Sequence, residues 1–422
     1  MLERFFVKPE TIDRIRASWI GEPIERYVAW LTENGYSSRT IHRRVPILMH
    51  FGAYARASGT KTWDDLPAYV ASFRDRWTKD HGQNCKTKRA LKGVSNEVQN
   101  PIQQMLRLVV PGYAGPGRPR TSQDPFPSYA PKFFEYLREE RGLQESSIRH
   151  YGHYLRRFEA YLREINLHNL HELSPPVLSA FVLKDSQTLS RSSMAGLCSS
   201  LRVFLRYLYR QRLLEREISR TVDSPQRYRL SSVPRSISWD EVRKMLRVID
   251  RRTPLGKRDY AILLLLVTYG LRAREIAKMA LDDIHWKEER LRVPERKAGH
   301  WTTYPLSPIV GEAILDYIKH GRPQTSLRYL FFRVLAPYHP LTLIAVSTRA
   351  SYYLRKAGIP VSRPGSHTLR HTCIQRLVDA NFSLKIIGDY VGHRSSSSTA
   401  VYTKVAIEAL REVALGDGEA VL

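Results

Sequence analysis

Cysteine is scarce in this chain, acidic residues are outnumbered and no apolar run is long, and each shortage argues against a class of protein. The three cysteines, Cys85, Cys198 and Cys373, are scattered and odd in number. They argue against a disulfide framework or a zinc knuckle and point to a reducing compartment. No apolar run exceeds about a dozen residues, against the roughly 20 needed to span a bilayer. The opening residues, MLERFFVKPE, lack the apolar centre of a signal peptide. No Walker loop and no cluster of carboxylates is present, so neither a metal nor any other cofactor is expected.

What the chain has in excess is positive charge. Lys and Arg outnumber Asp and Glu by 67 to 41, for a net charge of +26 over 422 residues. The isoelectric point is near 10.1. Such an excess favours a polyanion, nucleic acid first and an anionic membrane surface second. The length accommodates two or three domains with separate cores. A cytoplasmic protein directed at double-stranded DNA, without membrane association, is expected.

The most informative stretch runs from Ser366 to Tyr402. Leu369, Cys373 and Leu377 recur at helical spacing and predict a helix with an apolar stripe. His367 and Arg370 lie off that stripe and within one turn of each other. Ser383 is placed to cap a second short helix that ends at Gly392, leaving His393 on a loop. A guanidinium, two imidazoles and a phenol without a carboxylate suit a phosphodiester. Arginine matches phosphate oxygens with a planar fork, and a tyrosine hydroxyl is a competent nucleophile once deprotonated.

His367-Thr368-Leu369-Arg370-His371, then Gly392-His393, then Tyr402-Thr403, resemble the catalytic core of the tyrosine recombinases, the phage-integrase family. A second block, Thr268-Tyr269-Gly270-Leu271-Arg272-Ala273-Arg274-Glu275, resembles the family's Gly-Leu-Arg-x-x-Glu signature. Between them Lys297 precedes Ala298-Gly299 in a predicted β-hairpin, where the family keeps a catalytic lysine. One position departs mildly: Val391 stands where family members often have leucine before Gly-His.

The resemblance implies the chemistry. Arg272 and Arg370 would hold the non-bridging oxygens of the scissile phosphate. His367 and His393 would add hydrogen bonds, with His367 also helping to move the tyrosine proton. Tyr402 would attack phosphorus to leave a 3′-phosphotyrosine, and Lys297 would protonate the departing 5′-oxygen. The family also implies a homo-tetramer on DNA, other recombinases or accessory proteins as further partners, and association with a bacterial nucleoid. Its activity would be the integration or excision of a mobile element. A type IB topoisomerase would use similar chemistry, and a non-catalytic DNA-binding protein could share the fold.

Each residue has a plainer reading. Arg272 could pair with Glu275 as a surface bridge, and Arg274 is its rival for phosphate. His367 and His371 could be zinc ligands, although no third ligand is signalled. Tyr390, Tyr352 and Tyr353 compete with Tyr402, which only its spacing from His393 singles out.

Upstream, a repeat emerges. An offset of 107 residues matches Gly35 to Gly142, Ile41 to Ile148, Phe51 to Phe158, Tyr54 to Tyr161, Leu66 to Leu173 and Val70 to Val177. Two copies of one small helical domain are expected. The predicted division is a first helical domain at 1–110, a linker at 111–126, a core-binding helical domain at 127–222, a linker at 223–236 and a catalytic domain at 237–422. The fold class is mainly α with a small antiparallel sheet: tandem helical N-terminal DNA-binding domains ahead of an integrase-type α+β catalytic domain. Arg202, Arg206 and Arg210, on the last helix of the second copy, are candidate DNA contacts. Lys86, Lys88, Arg89 and Lys92 are candidates in the first. Val405 to Leu415 predicts a short amphipathic helix.

Overall fold

A computed structural model describes residues 1–115, 124–226, 236–296 and 300–392 of the chain. Two compact units group by contact: Met1–Gly115 together with Ser232–Leu422, and Pro116–Ser231.

The first 115 residues form five helices: α1 (Pro9–Arg16), α2 (Gly21–Glu33), α3 (Ser38–Ala57), α4 (Val70–His81) and α5 (Lys88–Val109). Gly35 takes a left-handed turn (φ 73°) between α2 and α3, a conformation that costs a residue with a Cβ more than it costs glycine. Ser37 then caps α3 by accepting from the Thr40 amide. Ile24, Val28, Ile41, Leu48, Phe51, Ile102 and Leu106 are fully buried and make this core.

The second unit repeats this plan. Its helices are α6 (Phe133–Glu139), α7 (Glu145–Glu164), α8 (Pro175–Ser186) and α9 (Arg191–Arg210). Both ends of α7 lie at the 107-residue offset from those of α3, and Gly142 (φ 55°) repeats the turn at Gly35. The packing repeats as well. Phe51 and Tyr54 each approach Phe73 at 5.4 Å between ring centroids, while Phe158 and Tyr161 approach Phe181 at 4.9 and 5.3 Å. Phe126, expected at the end of a linker, is buried in this second core, with its amide held by the Glu159 carboxylate at 2.8 Å.

The remaining residues build a mostly helical body: α10 (Trp239–Arg247), α11 (Pro254–Tyr269), α12 (Ala273–Lys278), α13 (Pro308–His320), α14 (Leu343–Lys356), α15 (Ser366–Asp379) and α16 (Leu384–Val391). Ser238 and Glu241 form the capping box predicted for α10, each side chain bonding the other's backbone amide. The helix α11 is buried along almost its whole length, which its unbroken run Ala261–Val267 requires. It packs against α13 and α15, and Gly270 ends it in the left-handed conformation (φ 60°).

Three antiparallel strands, β1 (Ile284–His285), β2 (Arg290–Arg296) and β3 (His300–Pro305), pair in the order β1-β2-β3. Leu291 pairs with Tyr304 across the hairpin, and Leu291, Val293 and Tyr304 turn into the core. The fold class read from the sequence, mainly α with a small antiparallel sheet, is the one observed. Among the described residues no helix is long and apolar enough to cross a membrane.

Candidate active site

Two glycine-terminated helices bring the candidate arginines together. Gly270 stops α11 and Gly392 stops α16, both in left-handed conformations (φ 60° and 65°), so each helix presents its last carbonyls to side chains from elsewhere. Arg370, on α15, donates from Nη1 to the Gly270 carbonyl and from Nη2 to the Val391 carbonyl at 2.7 Å. Arg272, at the start of α12, donates from Nη2 to the Gly392 carbonyl at 3.0 Å. The two guanidinium groups therefore sit on consecutive carbonyls at the negative end of one helix, where its dipole favours cations.

Their environments differ. The Arg370 residue is 4 % exposed, while the Arg272 side chain is 37 % exposed. The alternative pairing of Arg272 with Glu275 is also present. Glu275 accepts from the Arg272 amide at 2.8 Å and from its Nη1 at 2.9 Å. It is more than a surface bridge, because Glu275 is 5 % exposed and fixes both backbone and guanidinium. A guanidinium has five N–H groups, and these side-chain bonds use two of Arg272's. Its role as a holder is thus compatible with phosphate recognition by Arg272. Arg274 points out of the core and is exposed.

His367 lies one turn before Arg370 and keeps an exposed face. Desolvation of its ring, then the charges of Arg370 and Arg272, lower its pKa below the ordinary imidazole value. That both arginines act on it places the three groups in one neighbourhood. Lys297, His393 and Tyr402 lie outside the described residues, as does the amphipathic segment at 405–415. β2 ends and β3 begins on either side of Lys297.

The rival tyrosines are engaged. Tyr390 donates its hydroxyl to the Thr268 carbonyl at 3.1 Å. Tyr353 donates to the fully buried Asp259 at 3.1 Å, and burial followed by the Asp259 charge raises its pKa. Tyr352 remains half-exposed, its ring 4.9 Å from that of Tyr353.

The candidate DNA contacts divide. Lys86, Lys88, Arg89 and Lys92 are all exposed around the start of α5, where Thr87 accepts from the Ala90 amide. Arg210 is exposed at the end of α9. Arg202 is half-buried and Arg206 exposed, and both also have partners within the chain. Arg202 donates to the Val222 carbonyl at 2.9 and 2.7 Å and to Ser224 at 2.7 Å, and Arg206 donates to the buried Ser219 at 3.2 Å. Both clamp the segment that follows the helix, an order that helix periodicity alone could not reveal.

Sequence reasoning missed a second charged centre. Asp259 is 0 % exposed and accepts from Arg258 at 3.0 and 2.7 Å and from Arg349 at 2.7 Å. Arg258 also donates to the Phe332 carbonyl, so this group ties α11, α14 and the strand-like segment at Phe332 together. The only sequence signal is a charged pair heading an apolar helix.

Residues 235–408 match the phage integrase family, and residues 131–212 match its N-terminal SAM-like domain. A Sinorhizobium fredii protein provisionally named integrase/recombinase is 44% identical over 185 residues, covering 43% of this chain and 95% of that one. Another from the same organism, also provisionally named integrase/recombinase, is 29% identical over 92% of both chains. The tyrosine recombinase XerD of Lacticaseibacillus casei is 28% identical over 65% of this chain and 92% of its own. Among solved structures, XerH recombinase bound to a palindromic difH substrate aligns with a TM-score of 0.54 and 16% identity, over 83% of this chain and 96% of that one. Lambda integrase (75–356) bound to a core site aligns at 0.53 and 18% identity, over 65% and 94%. The fold is shared with both.

Proposed function

The chain belongs to the phage integrase family of tyrosine recombinases and is a site-specific recombinase, and we propose that it cleaves and rejoins double-stranded DNA through Tyr402. The observation that carries the assignment of residues is the seating of Arg272 and Arg370 on consecutive carbonyls beside His367. Two fixed cations next to a neutral imidazole form a site for a phosphate that gains charge during reaction.

Arg272 and Arg370 hold the non-bridging oxygens and offset the extra negative charge of the pentacoordinate transition state. The lowered pKa keeps His367 neutral near pH 7, able to take the proton from the Tyr402 hydroxyl. The tyrosine oxygen bonds to phosphorus while the bond to the 5′-oxygen breaks. Lys297 delivers a proton to that oxygen, and His393 donates a hydrogen bond to the phosphate. The product is a 3′-phosphotyrosine and a 5′-hydroxyl. Because the linkage keeps the phosphodiester's energy, a 5′-hydroxyl from another strand reverses the step without a nucleotide or metal. That Tyr390 and Tyr353 are already hydrogen-bonded supports Tyr402 as nucleophile.

The divisions 1–110, 127–222 and 237–422 serve as first helical domain, core-binding domain and catalytic domain, the first two being copies of one ancestor. Lys86, Lys88, Arg89, Lys92, Arg202, Arg206 and Arg210 contact backbone phosphates, Arg202 and Arg206 while also holding the segment that follows α9. The enzyme works as a homo-tetramer on DNA, with other recombinases or accessory proteins, to integrate or excise a mobile element.

Covalent capture tests this reading. Wild type and Tyr402→Phe are expressed in a bacterial host carrying candidate DNA, denatured, and the DNA that stays bound to protein is sequenced. Adducts at discrete positions with wild type alone are expected. Evenly spread adducts would indicate a relaxing topoisomerase, and no adduct with normal DNA binding would indicate a non-catalytic binder.

A further inference from the structure

The end of α16 accepts a third side chain. Carbonyls of Tyr390, Val391 and Gly392 follow one another in the chain, and they accept from Tyr304, Arg370 and Arg272 respectively. The donors come from three separate elements: β3, α15 and the start of α12. A helix end has carbonyls that lack intrahelical donors, and here two of the three donors are the candidate phosphate-binding groups.

Tyr304 is the donor that this chemistry does not use. It is 2 % exposed, and its ring lies 5.1 Å from Tyr269 and 5.0 Å from Tyr390. Tyr269 secures the same strand one residue further on, donating to the Pro305 carbonyl at 2.9 Å and accepting from the Ser307 amide at 2.8 Å. Tyr390 closes the circuit onto the Thr268 carbonyl, two residues before Gly270. Among the described residues β3 is the last strand of its sheet, paired on one side by β2. On its other margin, tyrosine hydroxyls tie it to the helix ends that seat Arg272 and Arg370.

We propose that Tyr304 is a positioning residue that sets the β2–β3 hairpin, which carries Lys297, at a fixed distance from the arginine pair. This rests on the reading of Lys297 as the group that protonates the leaving 5′-oxygen. Proton transfer needs the donor within about 2.6–3.2 Å of the acceptor, so the hairpin must be held in register with the groups that bind the phosphate and not merely packed on the core. The hydroxyl of Tyr304 couples the acid's strand to the helix end on which the phosphate-binding charges sit.

The test uses two suicide duplexes, one with the ordinary bridging 5′-oxygen at the scissile phosphate and one with 5′-sulfur there. Thiols have pKa values near 8.5, so a thiolate departs without an acid while an alkoxide does not. Single-turnover cleavage is measured for wild type, Lys297→Ala, Tyr304→Phe and Tyr269→Phe. Phenylalanine keeps both rings packed, and Tyr269→Phe loosens the strand at a second point should Tyr304→Phe fold poorly. Lys297→Ala is expected to lose about 100-fold or more on oxygen and to recover on sulfur. Tyr304→Phe is expected to lose about tenfold on oxygen and to lie within about twofold of wild type on sulfur, and Tyr269→Phe to show the same split. Equal losses on both duplexes, or no loss, for the tyrosine variants while Lys297→Ala is rescued would overturn the role of Tyr304 alone. Failure of sulfur to rescue Lys297→Ala would remove the reading of Lys297 and the proposal with it.

Discussion

Arg272 and Arg370 donate to the neighbouring carbonyls of Gly392 and Val391, so the position of one guanidinium fixes that of the other through a single peptide unit. Their unequal burial separates what each does for stability from what it does for reaction. Replacing Arg370 by alanine strands the carbonyls of Gly270 and Val391 in the interior, at about 1–3 kcal/mol each. Arg272→Ala strands the partly open Gly392 carbonyl and also takes the guanidinium from the nearly buried Glu275 carboxylate, whose bond from the residue-272 amide remains, so it is expected to cost about 1–3 kcal/mol in all. Both are expected to slow covalent cleavage by about 100-fold to 1,000-fold. Thermal unfolding beside single-turnover cleavage checks the contrast: both variants lower Tm, Arg370→Ala by more than Arg272→Ala.

The pH profile follows from His367. Its pKa lies below the ordinary value because of desolvation and the two arginines, so the neutral form persists to lower pH than in an exposed histidine. If the neutral ring accepts the tyrosine proton, kcat/KM for cleavage stays level as pH falls through about 6.5 and declines only below it. His367→Gln should remove that acid limb. A limb centred at or above about 6.5 in the wild type would contradict the assignment.

Asp259 compensates two arginines from a site without solvent. Asp259→Ala leaves Arg258 and Arg349 facing each other's charge, at about 3–5 kcal/mol. Urea unfolding followed by tryptophan fluorescence should show a lower midpoint for the catalytic body, with the binding of DNA by the helical domains retained.

The basic residues around the start of α5 are exposed and suit the first helical domain to binding phosphate. Lys88→Gln, Arg89→Gln and Lys92→Gln together should reduce the slope of log affinity against log salt by about 1 for each phosphate that is no longer neutralised. Fluorescence anisotropy on a long duplex measures it. An unchanged slope would assign this surface to contacts between subunits.

Much of the fold is legible in local signals. The apolar run Ala261–Val267, the capping box Ser238/Glu241 and the stops at Gly270 and Gly392 each mark the element that forms there. The repeat is legible too, because Phe51 and Phe158 sit at equivalent core positions where a smaller side chain would open a cavity. The hydrogen bonds of Arg202 and Arg206 are not legible, because their partners, Val222, Ser224 and Ser219, lie on a returning segment that no helical period encodes.

By itself, then, the sequence determined the helices, the repeat, the family and the candidates for the reacting side chains, since all of these rest on residue type and spacing within one segment. Only the tertiary structure decided that Tyr304, Arg370 and Arg272 meet on three consecutive carbonyls, and that Asp259 gathers Arg258 and Arg349. The reason is physical. Buried carbonyls and carboxylates must find donors wherever the packed chain brings them. Those donors come from strands and helices far apart in sequence, where no local pattern records the pairing.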